Sequence, residues 1–193
     1  MDRLLLPLRF DPRQLEEDLI RLEGLEWTDH FVKQNYEGSW SVIPLRAPVG
    51  EKHLIRMIYS DPSCREFTDT PFLLACPYFQ EVLAAFRAPL AAVRLMKLAP
   101  GSIIKEHTDY NLTPEYGTIR LHIPVITNPG VEFHLNRKLV AMKPGECWYL
   151  RLSDPHSVAN HGETDRVHMV IDAEVNEWVE HLLSQETVAG ERI

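Results

Sequence analysis

From residue 91 onward the chain alternates short apolar runs with turn-forming residues, a pattern typical of β-sheet proteins. The runs are Ala91–Leu98, Ser102–Asp109, Thr118–Thr127, Val131–Leu135, Lys138–Met142, Glu146–Leu152, Ser157–Asn160 and Arg166–Ala173. Turn-forming groups such as Pro100-Gly101, Asn128-Pro129-Gly130 and Pro144-Gly145 separate several of them. About eight short strands at this spacing predict a mainly β fold, a double-sheet jelly roll or another β-sandwich, rather than a parallel α/β sheet.

The first 90 residues combine strand patterns with two helical patterns. Leu4–Phe10 predicts a strand, and Asp11-Pro12 then has the N-cap and first-turn residues of a helix start. Leucines at helical spacing follow, and Gly24 marks the end of that helix. Pro77–Ala88 predicts a second helix. We expect both helices to pack outside the β-barrel and to support it.

The remaining segments are connections and shorter elements. Ser39–Leu45 and Leu54–Tyr59 predict strands, separated by a turn at Pro48-Val49-Gly50. The polar segment Asp61–Pro71 is either an active-site lid or a plain surface connection. Val175–Ser184 predicts a final helix.

Length and charge narrow the class of protein. The 193 residues predict a single domain, with 1–90 as supporting elements, 91–174 as the jelly-roll core and 175–193 as a C-terminal helix and mobile tail. A net charge of −8 argues against nucleic acid or an anionic membrane as a partner. The first residues match neither a signal peptide nor a membrane span, and the three cysteines fit no metal-ligand spacing. We expect a cytoplasmic protein with reduced thiols, whose oligomeric state the sequence leaves open.

Candidate metal chemistry begins at His107 and Asp109, which are two positions apart. In an extended strand both side chains leave the same face. An imidazole and a carboxylate on one face are two of the three ligands of a 2-His-1-carboxylate site, which leaves open positions on non-haem iron(II). His156 begins a later strand and can supply the third ligand, if the barrel brings the two strands together.

Arg166 has a chemical reason to join these residues. It opens the next strand, Arg166–Asp172. A 2-oxo acid can chelate iron through its C1 carboxylate and ketone, and its distal carboxylate then needs a partner. A guanidinium group suits that role, because its planar fork matches a carboxylate and its charge does not titrate.

An ordered series of motifs gives this chain a family resemblance. The series is His107–Tyr110, Thr118–Pro124, Lys143–Leu150, Asp154–Val158 and Arg166–Asp172. It resembles the aspartyl/asparaginyl β-hydroxylase family of iron(II)/2-oxoglutarate-dependent dioxygenases, and within it the bacterial free-proline cis-hydroxylases. The resemblance covers about residues 91–172.

The resemblance implies a double-stranded β-helix, a cupin-like jelly roll, that hydroxylates an unactivated C–H bond of an amino acid, free or within a peptide. Iron(II), 2-oxoglutarate and O2 would be required, with succinate and CO2 as coproducts. It implies no catalytic residues beyond the metal ligands. The implied roles are iron ligation by His107, Asp109 and His156, cosubstrate contact by Arg166, His122 and Arg94, and substrate contact by Arg120 and Tyr110.

One position departs from part of the family. The animal endoplasmic-reticulum aspartyl hydroxylases carry glycine where this chain has Asp109, and they are membrane-anchored with a repeat domain. We therefore do not expect this chain to process growth-factor-like domains.

Two other readings of the sequence stay open. A cupin-like metalloenzyme could use iron without 2-oxoglutarate, but it would have no need for Arg166 and His122. A non-catalytic β-sandwich binding module could carry structural histidines, and it would not bind iron.

Overall fold

Two antiparallel β-sheets face each other, and helices cover the outer face of the larger one. The computed structural model describes residues 1–22, 24–25, 27–59 and 64–189. The larger sheet contains β1 (Arg3–Arg9), β2 (Thr28–Asp29), β4 (Trp40–Pro48), β5 (Phe67–Asp69), β6 (Leu90–Leu98), β8 (Thr118–Ile126), β11 (Glu146–Leu150) and β13 (Arg166–Glu174). The smaller sheet contains β3 (Tyr36–Glu37), β7 (Ile103–His107), β9 (Val131–Leu135), β10 (Lys138–Leu139) and β12 (His156–Asn160).

The strand order is that of a jelly roll, which confirms the predicted fold class. The larger sheet runs β1-β11-β8-β13-β6-β4-β2, with β5 paired to β4, and the smaller runs β10-β9-β12-β7-β3. Strands distant in sequence are neighbours, such as β8 beside β13 and β7 beside β12, and these pairs are antiparallel. The chain therefore passes repeatedly between the two sheets as it builds the barrel.

Within the described residues, five α-helices accompany the sheets: α1 (Pro12–Arg21), α2 (Leu54–Ile58), α3 (Pro71–Leu74), α4 (Pro77–Ala84) and α5 (Glu177–Ala189). The side chain of Asp11 caps α1 by accepting the N–H of Arg13, as its position predicted. Leu15 of α1, Phe79 of α4 and Val179 of α5 share one core with the outer face of the larger sheet. The predicted support of the barrel by the N-terminal helices is thus observed.

The side chains of β13 point alternately into this outer core and into the barrel interior. Val167, Met169 and Ile171 face the helices. Val170 instead belongs to a second core between the two sheets. The other inward positions are polar but buried. Burying polar groups costs free energy unless they are hydrogen-bonded or paired, so the barrel interior is where a site is expected.

Leu54–Tyr59 was predicted to be a strand, and that prediction is wrong. The segment contains the single helical turn α2, in which the carbonyl of His53 accepts the N–H groups of Arg56 and Met57. A short apolar run cannot distinguish a buried strand from a buried helical turn.

Other boundaries moved by a few residues. β4 continues through Pro48, where a turn was predicted, and α5 continues to Ala189. Of the predicted irregular segment Asp61–Pro71, residues 61–63 lie outside the described residues, and Phe67–Asp69 forms edge strand β5. In the part of the chain that the structure describes, no helix has the length and apolar character needed to cross a membrane.

Candidate metal centre

Three candidate ligands meet at one end of the barrel. His107 is the last residue of β7 and His156 the first of β12, and the two residues are register partners in the smaller sheet. One ligand atom from each of His107, Asp109 and His156 lies within 4.8 Å of the other two. Two imidazoles and one carboxylate at this separation can hold a single metal ion with open coordination positions.

Asp109 reaches this group from a loop and not from a continuing strand. We expected the strand to include Asp109, but β7 ends at His107. The backbone N–H of Asp109 donates to the carbonyl of Leu152 at 2.8 Å, and its own carbonyl accepts the hydroxyl of Ser153 at 3.0 Å. These two bonds hold the loop, and Oδ1 of Asp109 lies 3.8 Å from Nε2 of His107.

Both histidines are held in the tautomer that leaves Nε2 free to bind a metal. Nδ1 of His107 lies 2.7 Å from the carbonyl oxygen of Lys105, and Nδ1 of His156 lies 3.0 Å from that of Asp154. Because a carbonyl can only accept, each Nδ1 carries the hydrogen and each Nε2 keeps its lone pair for a metal. Burial, together with the nearby His107, lowers the pKa of His156 to about 4, so this imidazole is neutral near pH 7.

Two carboxylates and two guanidinium groups form a hydrogen-bonded chain beside the ligands. Arg120 donates from Nη1 to Oδ2 of Asp109 at 2.7 Å, and from Nε and Nη2 to Asp172 at 2.6 and 3.0 Å. Arg94 donates to Asp172 through both Nη atoms at 3.2 Å. Burial opposes the charge of Asp172, but the two arginines outweigh it and lower the pKa of that carboxyl to about 2.

Arg166 has no such compensation. It is 2% exposed, and within the described residues its guanidinium group has no carboxylate at ion-pair distance. Nη2 contacts Nδ1 of His168 at 2.8 Å, while Nε has no hydrogen-bond partner. Burial lowers the pKa of Arg166 to about 9, and burial together with the Arg166 charge lowers that of His168 well below its usual range.

His122 also has an unsatisfied buried atom. Its Nδ1 lies 3.4 Å from Nδ1 of His168, and its Nε2 has no partner among the described residues. Burial and the charge of Arg166 lower the pKa of His122 well below its usual range. Arg166 and His122 thus each have one buried nitrogen atom without a partner among the described residues, and the charge of Arg166 acts on His122. Such a pair fits an anionic ligand with several oxygen atoms.

The structure places several of the predicted site residues in one connected group, but not all of them. The three ligands, Arg120 and Arg94 form one connected group, whereas Tyr110 is 90% exposed on the loop after Asp109. Arg94 was expected to contact a cosubstrate, but its observed partner is Asp172.

Sequence reasoning missed two features. Asp172 was given no role, although it shares the inward face of β13 with Arg166 and His168. The alternation of side chains along a strand could have predicted this shared face. His30 was likewise given no role, but it stacks on Trp40, with ring centroids 3.6 Å apart. No sequence signal predicted that stack.

A protein family and two curated relatives match this chain in sequence. The profile of the family described as Aspartyl/Asparaginyl beta-hydroxylase matches residues 13–175. A protein named L-proline cis-4-hydroxylase from Rhizobium meliloti (strain 1021) is 29% identical over 91% of this chain and 62% of its own length. L-proline cis-3-hydroxylase 2 from Streptomyces sp. is 25% identical over 86% of this chain and 57% of its own length. The chain thus spans about three fifths of the length of these relatives.

A solved structure shares the fold at low sequence identity. HygX from Streptomyces hygroscopicus, solved with nickel and 2-oxoglutarate bound, aligns with a TM-score of 0.58 at 13% identity. The alignment covers 91% of this chain and 84% of HygX. This likeness supports the jelly-roll architecture.

Proposed function

The chain belongs to the aspartyl/asparaginyl β-hydroxylase family, and from that premise and its metal centre we propose that it is an iron(II)- and 2-oxoglutarate-dependent dioxygenase. It hydroxylates an unactivated C–H bond of an amino acid, free or as a residue of a peptide. In the proposed site, iron(II) is held by His107, Asp109 and His156, which leave the coordination positions that 2-oxoglutarate and O2 require.

The observation that carries the proposal is the uncompensated charge of Arg166 in the same barrel as the triad. Three guanidinium groups, of Arg94, Arg120 and Arg166, line this interior, and the carboxylates of Asp109 and Asp172 pair with the first two. Arg166 is the member of this set that has no carboxylate at ion-pair distance among the described residues. A dianion that places one carboxylate at a metal and the other at a buried guanidinium satisfies both features at once.

The chain's own residues have separate tasks in this proposal. Arg166 binds the distal carboxylate of 2-oxoglutarate, and His122 offers it a second polar contact. Arg94 supports the site through Asp172, and Arg120 and Tyr110 remain the proposed substrate contacts. Iron(II) with 2-oxoglutarate and O2 supplies the oxidation, in which one oxygen atom enters the C–H bond and the other enters succinate as CO2 is released.

Substrate and setting are proposed from the relatives and the charge. The two curated relatives are named proline hydroxylases, which supports a small amino acid such as proline as substrate. Aspartate and asparagine stay among the candidates because of the family description. A net charge of −8 supports a protein without nucleic acid or membrane partners, and we propose that it acts in the cytoplasm.

Turnover of 2-oxoglutarate with a panel of amino acids and short peptides tests the proposal. We expect iron(II)-dependent succinate formation, and mass spectrometry should detect one added oxygen atom in one class of substrate. His107→Ala and His156→Ala should abolish both signals. His134→Ala is the matched control, because His134 lies on β9 between the inward-facing Phe133 and Leu135 and points away from the barrel.

Three results would contradict the proposal. Wild-type succinate formation in both ligand variants would exclude the triad. Iron-dependent oxidation that needs no 2-oxoglutarate would favour a cupin-like enzyme of another type. A protein that does not bind iron would be a binding module with structural histidines.

A further inference from the structure

Asp172 lies one hydrogen-bonded step away from the candidate metal ligands. It is 4% exposed, and it sits directly opposite Arg120 in the pairing of β13 with β8. Its carboxylate accepts a bond from Arg120, and Arg120 donates another to Asp109. We propose that Asp172 is a positioning residue of the metal centre, which fixes the orientation of the Asp109 carboxylate through Arg120. The inference rests on the proposed function, because it assumes that Asp109 binds a metal.

The geometry of Arg120 supports this role. A guanidinium group is planar, and two bonds along one edge fix its plane. Asp172 binds that edge through Nε and Nη2, and the third nitrogen, Nη1, then points at Oδ2 of Asp109. Without Asp172 the side chain of Arg120 would keep the charge but would lose the constraint on its direction.

The consequence for Asp109 is that its two oxygens have different surroundings. Oδ2 accepts the bond from Arg120, whereas Oδ1 is the oxygen that lies 3.8 Å from Nε2 of His107. A carboxylate held in this way offers a metal one oxygen. Asp109 lies beyond the end of β7, and the bond from Arg120 restricts the rotation of its side chain.

Asp172 is itself held from a second strand. Arg94 of β6 donates two bonds to it, and that guanidinium group is 1% exposed. These contacts therefore connect the central strands β6, β13 and β8 of the larger sheet to the loop that follows β7 of the smaller sheet. A purely structural explanation is that the chain of contacts only ties the two sheets together, and the experiment must separate the two roles.

Metal binding by the purified 193-residue chain separates them. Mn(II) affinity is measured by calorimetry, the visible spectrum of the Co(II) form reports coordination geometry, and thermal unfolding reports stability. We expect Asp172→Asn to weaken Mn(II) binding by about 10- to 100-fold, the range found for groups that orient metal ligands. Its Co(II) spectrum should also change, because the orientation of the Asp109 oxygens is no longer fixed.

Two further variants make the result decisive. Arg120→Lys keeps the positive charge but cannot bond both carboxylates, so it should weaken Mn(II) binding in the same way, and it decides the matter if Asp172→Asn does not fold. Asp18→Asn is the matched control: Asp18 is a 3% exposed carboxylate that accepts the N–H of Phe79, away from the barrel interior. It should lose stability and keep wild-type metal binding.

The outcomes are distinguishable. Wild-type Mn(II) affinity and an unchanged Co(II) spectrum in the variants of Asp172 and Arg120, with only stability lost, would overturn the positioning role and leave the proposed function standing. Failure of the wild-type chain to bind Mn(II) or Co(II) would overturn both.

Discussion

The uncompensated charge of Arg166 leads to a prediction about stability that is opposite to the usual one. Replacing a buried arginine normally destabilises a protein, because it leaves a buried carboxylate unpaired. Arg166 has no such partner among the described residues. Arg166→Met should therefore leave the ligand-free protein as stable as the wild type, or more stable.

The magnitude follows from the pKa. A fall from 12.5 to about 9 means that holding the charge in the folded barrel costs on the order of 5 kcal/mol at every pH below about 9. The contact with His168 and the packing of the aliphatic stem offset part of this cost, so we expect a gain of about 0 to 3 kcal/mol. Arg120→Met is the control. Burial also opposes the charge of Arg120, but Asp172 and Asp109 outweigh it and raise its pKa, so this variant should lose about 3–5 kcal/mol.

The assay is urea unfolding of both variants, with and without Mn(II) and 2-oxoglutarate. In the wild type, the metal and 2-oxoglutarate should each add about 2.7 kcal/mol at 100 times their own dissociation constants, and Arg166→Met should lose most of the part due to 2-oxoglutarate. A loss of stability in ligand-free Arg166→Met comparable to that in Arg120→Met would refute the reasoning. It would mean that Arg166 is already satisfied inside the barrel and is not a site for an anion.

Two other predictions concern the stability of the fold around the site. Burial lowers the pKa of His30 from its ordinary 6.5 to about 3. As the pH falls below 6.5, the unfolded chain takes up a proton before the folded protein does. The free energy of unfolding should therefore decrease between about pH 6.5 and pH 3. His30→Phe keeps an aromatic stack and should make this acid loss shallower in urea unfolding between about pH 7 and pH 5; an unchanged slope would contradict the assignment. Gly145 has φ +79°, and an added Cβ would collide with the carbonyl of Phe10, so Gly145→Ala should cost about 2–5 kcal/mol in thermal unfolding. Gly50 has the same φ with open space around it, and Gly50→Ala should cost only about 1–2 kcal/mol; equal losses would show that the collision is relieved.

The barrel could be predicted from the sequence because its signal is local. Each predicted strand after residue 90 has a counterpart in the structure, since alternation and turn residues mark strands without knowledge of their partners. Leu54–Tyr59 failed because a run of that length carries no period that separates one helical turn from a strand. The short strands β2 and β3 were missed because two residues carry no pattern at all.

The site could be predicted only where spacing or resemblance named the residues. His107 and Asp109 were found by their spacing, although Asp109 lies beyond the end of β7. The role of Asp172 depends on its register opposite Arg120, and a single sequence does not state which residues of two strands face each other.

The central claim is that His107, Asp109 and His156 hold iron(II) so that 2-oxoglutarate can chelate it. Anaerobic titration of the protein with iron(II) and 2-oxoglutarate tests this most directly, because chelation by a 2-oxo acid produces a visible charge-transfer absorption. We expect the band to appear at one equivalent in the wild type and to be absent in His107→Ala. No band in the wild type, or an equal band in His107→Ala, would contradict it.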